Sequence, residues 1–368
     1  MMNNKKILIL YATAGAGHKK AAEAIFAAAL KDNPSVSLKD IVTFMPPCAA
    51  RLYSDGYTFL IRRLPWIWGL LYFLSDTPAL RALNVHVRRF VNRLTCKSLI
   101  TFLRETKPDI VISTQFLASE IVSYAKQALG LPITLITVVT DFGVHNFWLA
   151  PQTDIYCCAS EVTRRILLKK GVADSAIRIT GIPLDQKFLN VASREACAAG
   201  IAVDKDAFTA LIVTGGIGAG PIEEIVDLLK DDIQLLVVCG NNNVLYQKLK
   251  NKNYGNVRVF GFVDTIPDLM RASDVVITKS GGLTVTEGLA MGKPMVFFFL
   301  IPGQESINAH LIENLRAGII AATPKRIKEA VMHFKNDRAV YAAFSQRAQS
   351  LAKPHSSSEI IALIWKNE

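Results

Sequence analysis

The sequence lacks any apolar run long enough to cross a bilayer. Its most hydrophobic stretch, LPWIWGLLYFL from Leu64 to Leu74, contains Gly69 and falls short of the ~18–20 residues a spanning helix needs. Cysteine is scarce, six in 368 residues, and no C-x-x-C pair occurs, which argues against thioredoxin-like redox chemistry and cysteine-based zinc sites. Reduced, buried thiols in a cytosolic protein are the expectation. There is no G-x-x-x-x-G-K-[ST] phosphate loop, no complete G-x-G-x-x-G fingerprint and no low-complexity tract. The opening MMNNKKILILYATAGA imitates a secretory leader. Its apolar core, ILILY, is shorter than the usual ~7–15 residues, and the small residues run straight into an amphipathic helix, so a leader is not expected.

What is present is a long alternation of short apolar runs with helical patterns. Strands are expected at 6–12, 37–43, 109–114, 133–139, 155–160, 177–181, 209–215, 233–240, 257–262, 275–279, 294–300 and 318–322. Most are continuous rather than alternating, as in parallel sheets covered on both faces. With 368 residues and 51% hydrophobic content, two doubly wound α/β domains are the economical architecture. The expected division is 1–188, 189–352 and a last helical stretch, 353–368, packing back on the first domain. The formal charge of +11 is uneven: residues 1–150 carry +8 and residues 181–368 only +1. Residues 44–104 break the α/β rhythm, mix aromatics with arginines and carry +7. Such an insertion suits an anionic membrane surface, with Arg62, Arg63, Trp66, Trp68, Arg88 and Arg89 as contacts. A buried helix pair with solvated arginines is the plainer alternative. The same charges would suit nucleic acid, but no RNA- or DNA-binding module is recognisable, so no nucleic-acid partner is expected.

Four motifs stand at strand ends. ATAGAGHKK places Gly15 and Gly17 in a turn and His18 at a helix start, where the positive helix end favours a neutral imidazole able to accept a proton. A capping or packing histidine fits the spacing equally well. VTDFGVHNFWL (139–149) puts Asp141, His145 and Trp148 just after a strand, the place where open α/β sheets hold ligands; a loop salt bridge is the alternative. VTGGIGAGP (213–221) has four glycines in six positions, which lets backbone approach a diphosphate. The richest block, ITKSGGLTVTEGLAMGKPMVFFFLIPGQESIN, has Ser280, Gly281, Gly282 and Glu287 at one helix start and Gln304, Glu305 and Asn308 at the next. That set suits a phosphorylated, polyhydroxylated ligand better than helix capping alone.

These motifs, with GIPLDQKF, CGNN and GFVDTIPDLMRASD, resemble in order and over nearly the whole chain the monogalactosyldiacylglycerol synthase family. The bacterial diacylglycerol glucosyltransferases belong with it, and the lipid II-forming N-acetylglucosaminyltransferase is more distantly similar. The resemblance implies a GT-B fold, two Rossmann-like domains facing across a cleft, and an inverting transfer of a hexose from a UDP-sugar to diacylglycerol or a similar lipid. It implies no bound cofactor and no catalytic metal, with UDP-sugar as co-substrate, and a peripheral protein on the cytoplasmic face of the membrane. Backbone around Phe262 and Val263 would meet the uracil and Glu287 the ribose. Gly216, Gly218, Ser280, Gly281 and Gly282 would meet the diphosphate. Gln304, Glu305 and Asn308 would face the sugar. His18 would be the base, with Asp141 as rival or helper, and Gly15, Gly17, His145 and Trp148 would lie on the acceptor side. Asn146 departs from the proline common in relatives. A polyprenyl-linked acceptor, a UDP-sugar epimerase and a non-catalytic nucleotide-sugar sensor are the alternatives.

Overall fold

The computed structural model describes residues 5–13, 15–31, 33–77, 91, 92, 94–216, 218, 220–298 and 300–365. Arg88, Arg89 and the side chain of Arg62 lie outside the described residues. The chain forms two compact units, one of residues 1–185, 301–304 and 355–368, the other of residues 186–300 and 305–354.

In the first unit the elements run β1 (Ile7–Tyr11), α1 (Ala16–Ala29), β2 (Val36–Asp40), α2 (Pro47–Arg63), α3 (Pro65–Asp76), α4 (Lys97–Thr106), β3 (Ile110–Ser113), α5 (Phe116–Leu129), β4 (Thr134–Val138), β5 (Ile155–Cys158), α6 (Glu161–Lys169) and β6 (Ile177–Ile179). The sheet order is β2-β1-β3-β4-β5-β6, all parallel. Strand β1 shows why the apolar runs are continuous. Ile7 and Ile9 pack on one face with Ala22 and Ile25 of α1, while Leu8 and Leu10 pack on the other with Leu99, Leu103 and Ile121. Strand β2 stops earlier than the run 37–43 suggested. The Asp40 carboxylate accepts the Val42 N–H at 2.9 Å and turns the chain into a 3₁₀ turn over Ile41–Phe44.

The second unit holds α7 (Arg194–Gly200), β7 (Thr209–Val213), α8 (Ile222–Leu229), β8 (Gln234–Val238), α9 (Asn243–Asn251), β9 (Val257–Phe260), α10 (Ile266–Ala272), β10 (Val275–Thr278), α11 (Gly282–Ala290), β11 (Met295–Phe297), α12 (Gln304–Asn314), β12 (Gly318–Ile320), α13 (Pro324–Asn336) and α14 (Arg338–Leu351). Its sheet order is β12-β11-β10-β7-β8-β9, again parallel throughout. The core joins Ile212, Val237 and Ile277 of the sheet to Ile225 and Leu229 of α8 and Phe334 of α13. The run 294–300 is strand only to Phe297.

Each sheet has one place where the chain reverses its direction of winding, between β1 and β3 and between β7 and β10. Loops that leave the carboxyl ends of such strand pairs part and leave a crevice. The turns carrying His18, Gln115, Gly216 and Ser280 all follow these four strands.

Helices α2 and α3 each open with proline at the first helical position, where the missing N–H costs nothing. Helix α3 buries Gly69 and Tyr72 and exposes Trp66, Leu70, Leu71, Phe73 and Leu74, with Trp66 66% exposed. Trp68, expected with Trp66 as a membrane contact, is two residues on and lines a cavity. Among the described residues no helix is long and apolar enough to cross a membrane. Five cysteines are buried, but Cys48, in the first turn of α2, is exposed, against the expectation of buried thiols.

A last helix, α15 (Ser356–Trp365), belongs to the first unit. Ile360, Ile361 and Ile364 enter the core beside Ala22 and Ile25, and the Ser356 hydroxyl donates to the Ile182 carbonyl at 2.8 Å. Ile360→Ala should therefore destabilise the first unit by about 2–5 kcal/mol. The check is urea denaturation, where the first unit's midpoint should fall and that of the second stay in place.

Candidate active site

The first unit contains a cavity of about 450 Å³, walled mainly by Leu52, Leu60, Trp68, Tyr72, Phe116 and Trp148, with His18, Asp141, Gln115 and Gln304 among its polar lining. His18 is the third residue of α1. Its N-cap, Gly15, has φ 109° with open space around it, so backbone conformation rather than crowding requires glycine there.

The ring of His18 is held from across the switch point. Nδ1 lies 2.9 Å from the Thr114 carbonyl oxygen and 2.9 Å from Thr140 Oγ1. A carbonyl only accepts, so the proton of the neutral ring sits on Nδ1 and Nε2 carries the lone pair. In return, Thr114 Oγ1 donates to the His18 carbonyl at 2.9 Å. The Trp148 ring stands 6.1 Å from the His18 ring, centroid to centroid. Burial pushes the imidazole down to about 4, against a smaller upward pull from the Thr114 carbonyl.

Asp141 follows Thr140 and lines the same cavity. His145 also lines it, but both ring nitrogens serve the backbone. Nδ1 accepts the Phe147 N–H at 3.1 Å, and Nε2 donates to the Tyr72 carbonyl at 2.9 Å. Its ring lies tilted against that of Tyr72, with the centroids 4.3 Å apart. The next residue extends the tie. Asn146 N–H donates to Asp76 Oδ1 at 2.7 Å, its Nδ2 donates to the Asp76 carbonyl at 3.0 Å, and its Oδ1 accepts from Lys170 Nζ at 3.0 Å. A carboxylate at the end of α3 opposes the helix dipole by about 0.3–1 kcal/mol. Lys170, 2.9 and 3.0 Å from the two Asp76 oxygens, offsets that.

Sequence reasoning missed Leu52, Tyr53, Leu60, Tyr72, Gln115 and Phe116. Tyr53 and Tyr72 carried a signal as aromatics of the basic 44–104 segment, and Gln115 as a polar residue directly after an apolar strand.

In the second unit Gly216, Gly218, Ser280, Gly281 and Gly282 follow β7 and β10 at the switch point, whereas Phe262 and Val263 follow β9, two strands away from β7. Gly218 has φ 59°, and a Cβ there would stand 2.2 Å from the Cys239 carbonyl oxygen, so no other residue fits. The Gly216 carbonyl accepts the Asn241 backbone N–H at 2.9 Å, and Asn242 Nδ2 donates to the Gly218 carbonyl at 3.0 Å, which explains the last asparagine of CGNN. Helix α11 starts at Gly282 with no side-chain cap, leaving first-turn N–H groups to other partners. Ser280 and Asn308 hold each other's segments. Asn308 Nδ2 donates to the Ser280 carbonyl at 3.0 Å, and the Ser280 hydroxyl to the Glu305 carbonyl at 2.6 Å. Lys279, not singled out from sequence, pairs with Glu305 at 2.6 Å. Glu287 is buried in α11, and Phe262 is 64% exposed after β9. Gln304 instead lines the cavity of the first unit. Among the described residues no group of His, Cys, Asp or Glu is placed to hold a metal ion.

Residues 18–184 match the description "Monogalactosyldiacylglycerol (MGDG) synthase", and residues 210–359 match "Glycosyltransferase family 28 C-terminal domain". The chain is 30% identical to the monogalactosyldiacylglycerol synthase 1, chloroplastic, of Arabidopsis thaliana, covering 97% of this chain and 70% of that protein. The chain belongs to the monogalactosyldiacylglycerol synthase family. This family member is also 28% identical to the processive diacylglycerol beta-glucosyltransferase of Bacillus licheniformis, over 98% of this chain and 94% of the relative. It is thus a glycosyltransferase. Its fold is GT-B, two Rossmann-like units, like Acinetobacter baumannii MurG, which superposes with a TM-score of 0.63 at 18% identity over 99% of this chain and 100% of MurG.

The depressed His18 sets a pH signature. The unfolded chain binds a proton at His18 near the ordinary value of 6.5, the folded chain only near about 4. Stability should therefore fall as pH drops from 6.5 towards 4. In His18→Gln that part of the slope should vanish, as read by thermal unfolding across the window.

Proposed function

We propose that this glycosyltransferase moves a hexose, glucose or galactose, from a UDP-sugar to the free hydroxyl of a diacylglycerol, inverting the anomeric carbon. The observation that carries the reading is an apolar, aromatic cavity with His18 in its wall and the ring's lone pair on Nε2. A lipid hydroxyl needs both an apolar berth and a base. Both relatives described above bear names of enzymes that act on, or form the glycolipid of, diacylglycerol.

In the reaction the acceptor oxygen bonds to C1 as the bond from C1 to the UDP oxygen breaks. His18 Nε2 takes the hydroxyl proton. An imidazole this weakly basic takes it late, once the oxygen has begun to bond to carbon. Asp141, in the same wall, is the alternative base. Uncapped N–H groups at the start of α11 receive the charge of the departing diphosphate, beside Gly216 and Gly218. Glu287 grips the ribose, and the backbone at Phe262 and Val263 meets the uracil. Glu305, held by Lys279, serves the sugar.

The acceptor comes from a membrane. Helix α3 turns Trp66, Leu70, Phe73 and Leu74 to solvent and Trp68 and Tyr72 to the cavity. With the cationic excess of residues 44–104, this fits a peripheral enzyme on an anionic, cytoplasmic leaflet.

The deciding assay is incubation with labelled UDP-glucose or UDP-galactose and diacylglycerol vesicles, with product identification. A β-linked glycolipid is expected; free hexose alone would sink the reading. His18→Ala should lower turnover about 10²-fold or more with UDP affinity unchanged. Trp66→Ser combined with Phe73→Ser should abolish co-sedimentation with anionic vesicles, and undiminished sedimentation would refute the membrane face.

A further inference from the structure

Gln115 begins the turn between β3 and α5, is only 1% exposed, and lines the cavity. Its amide orientation is determined by its partners. The Leu117 N–H, which can only donate, lies 2.6 Å from Oε1, so that oxygen caps α5 and the other terminal atom is the NH₂ group. Nε2 in turn donates to the Tyr53 hydroxyl at 2.6 Å.

An NH₂ group carries two hydrogens, and Tyr53 takes one. The other has no protein acceptor among the described residues. An amide hydrogen so deeply placed beside aromatic walls calls for an oxygen partner. Gln115 is also tied to the proposed base, because the Thr114 carbonyl that orients His18 belongs to the preceding residue. The same short turn thus sets the ring nitrogen and carries the amide, and both residues line one cavity.

We propose that Gln115 reads the acceptor's ester group, its second Nε2 hydrogen donating to a carbonyl oxygen of the lipid while the neighbouring glycerol hydroxyl meets His18. This rests on the cavity being the diacylglycerol site. The chemistry matches. In a 1,2-diacylglycerol the free hydroxyl and the nearer ester stand on adjacent glycerol carbons, so two polar groups within one otherwise apolar pocket suffice to orient it. Gln115 is then the residue that separates diester from diether lipids. A site built to donate to a substrate oxygen rejects an analogue that lacks the oxygen, because the buried donor is left unpaired.

The test compares dioctanoylglycerol with its diether analogue, dioctylglycerol, in the wild type and in two variants. Gln115→Glu keeps an acceptor for the Leu117 N–H, lets Tyr53 become the donor and removes the spare hydrogen. Gln115→Met removes both functions. The wild type should favour the diester by about tenfold in kcat/KM, the worth of one hydrogen bond of this kind. Both variants should lose about tenfold more on the diester than on the diether, with the KM for UDP-sugar unmoved. Dioctanoylglycerol should also raise the wild-type Tm more than dioctylglycerol does, and Gln115→Glu should erase the difference. Equal losses on the two lipids, or a wild type indifferent to the ester, overturns the assignment while leaving the acceptor site standing. A wild type that glycosylates neither lipid removes the diacylglycerol reading, and the assignment with it.

Discussion

The hydrogen bond from His18 Nδ1 to the Thr114 carbonyl is the constraint on which the arrangement of the first unit's cavity wall depends. It joins the start of α1, which follows β1, to the end of β3, across the point where the sheet reverses its winding. Strand pairs that part there would leave the histidine to swing in an open crevice. The carbonyl stops the rotation and selects the tautomer, and Thr140 adds a second restraint from the end of β4. Three strand ends thereby define one ring nitrogen. The second unit solves a similar problem differently. Its turns after β7 and β10 are glycine-rich, and their shape is kept by amides: Asn241 and Asn242 hold the first, Asn308 the second.

Around this centre, α3 works as a wall with two kinds of face. Its seat is secured by contacts far apart in sequence. A Cβ on Gly69 would stand 2.5 Å from Pro302, so only glycine lets the helix come so close. Tyr72 lies against the ring of His145, and Asp76 reaches Asn146 and Lys170. The tie through Asn146 uses its backbone N–H and both side-chain polar atoms. A proline there would offer none of the three. The departure from the common family pattern at this position therefore belongs to a specific local structure.

The fold class and the family were legible in the sequence for physical reasons. Strands covered on both faces must be apolar throughout, as Ile7 to Leu10 are, and turns that leave them at a crevice need glycine or small polar residues. What could not be read were partnerships between residues remote in sequence. His145 looks like a ligand or base in DFGVHNFW, and nothing local says that Tyr72, 73 residues earlier, takes its Nε2. Ser280 and Asn308 read as ligand groups, yet each holds the other's segment. Trp66 and Trp68 were readable in principle, since two residues on a helix differ by about 200° in direction, but a shared aromatic character hid the difference in phase. Gln115 was not singled out in the sequence, and only its two partners show that one donor remains.

The return of α15 to the first unit has a consequence for dissecting the protein. The first unit draws its core from both ends of the chain: Ile360, Ile361 and Ile364 fill the same layer as Ile7 and Ile25. An N-terminal fragment ending near Asp185 would expose that layer and lose the hydroxyl that caps the Ile182 carbonyl. The second unit, by contrast, is an insertion whose own residues are interrupted only by 301–304. Of the two, it is the piece suited to be expressed alone, whereas the core of the first unit is complete only with the last helix.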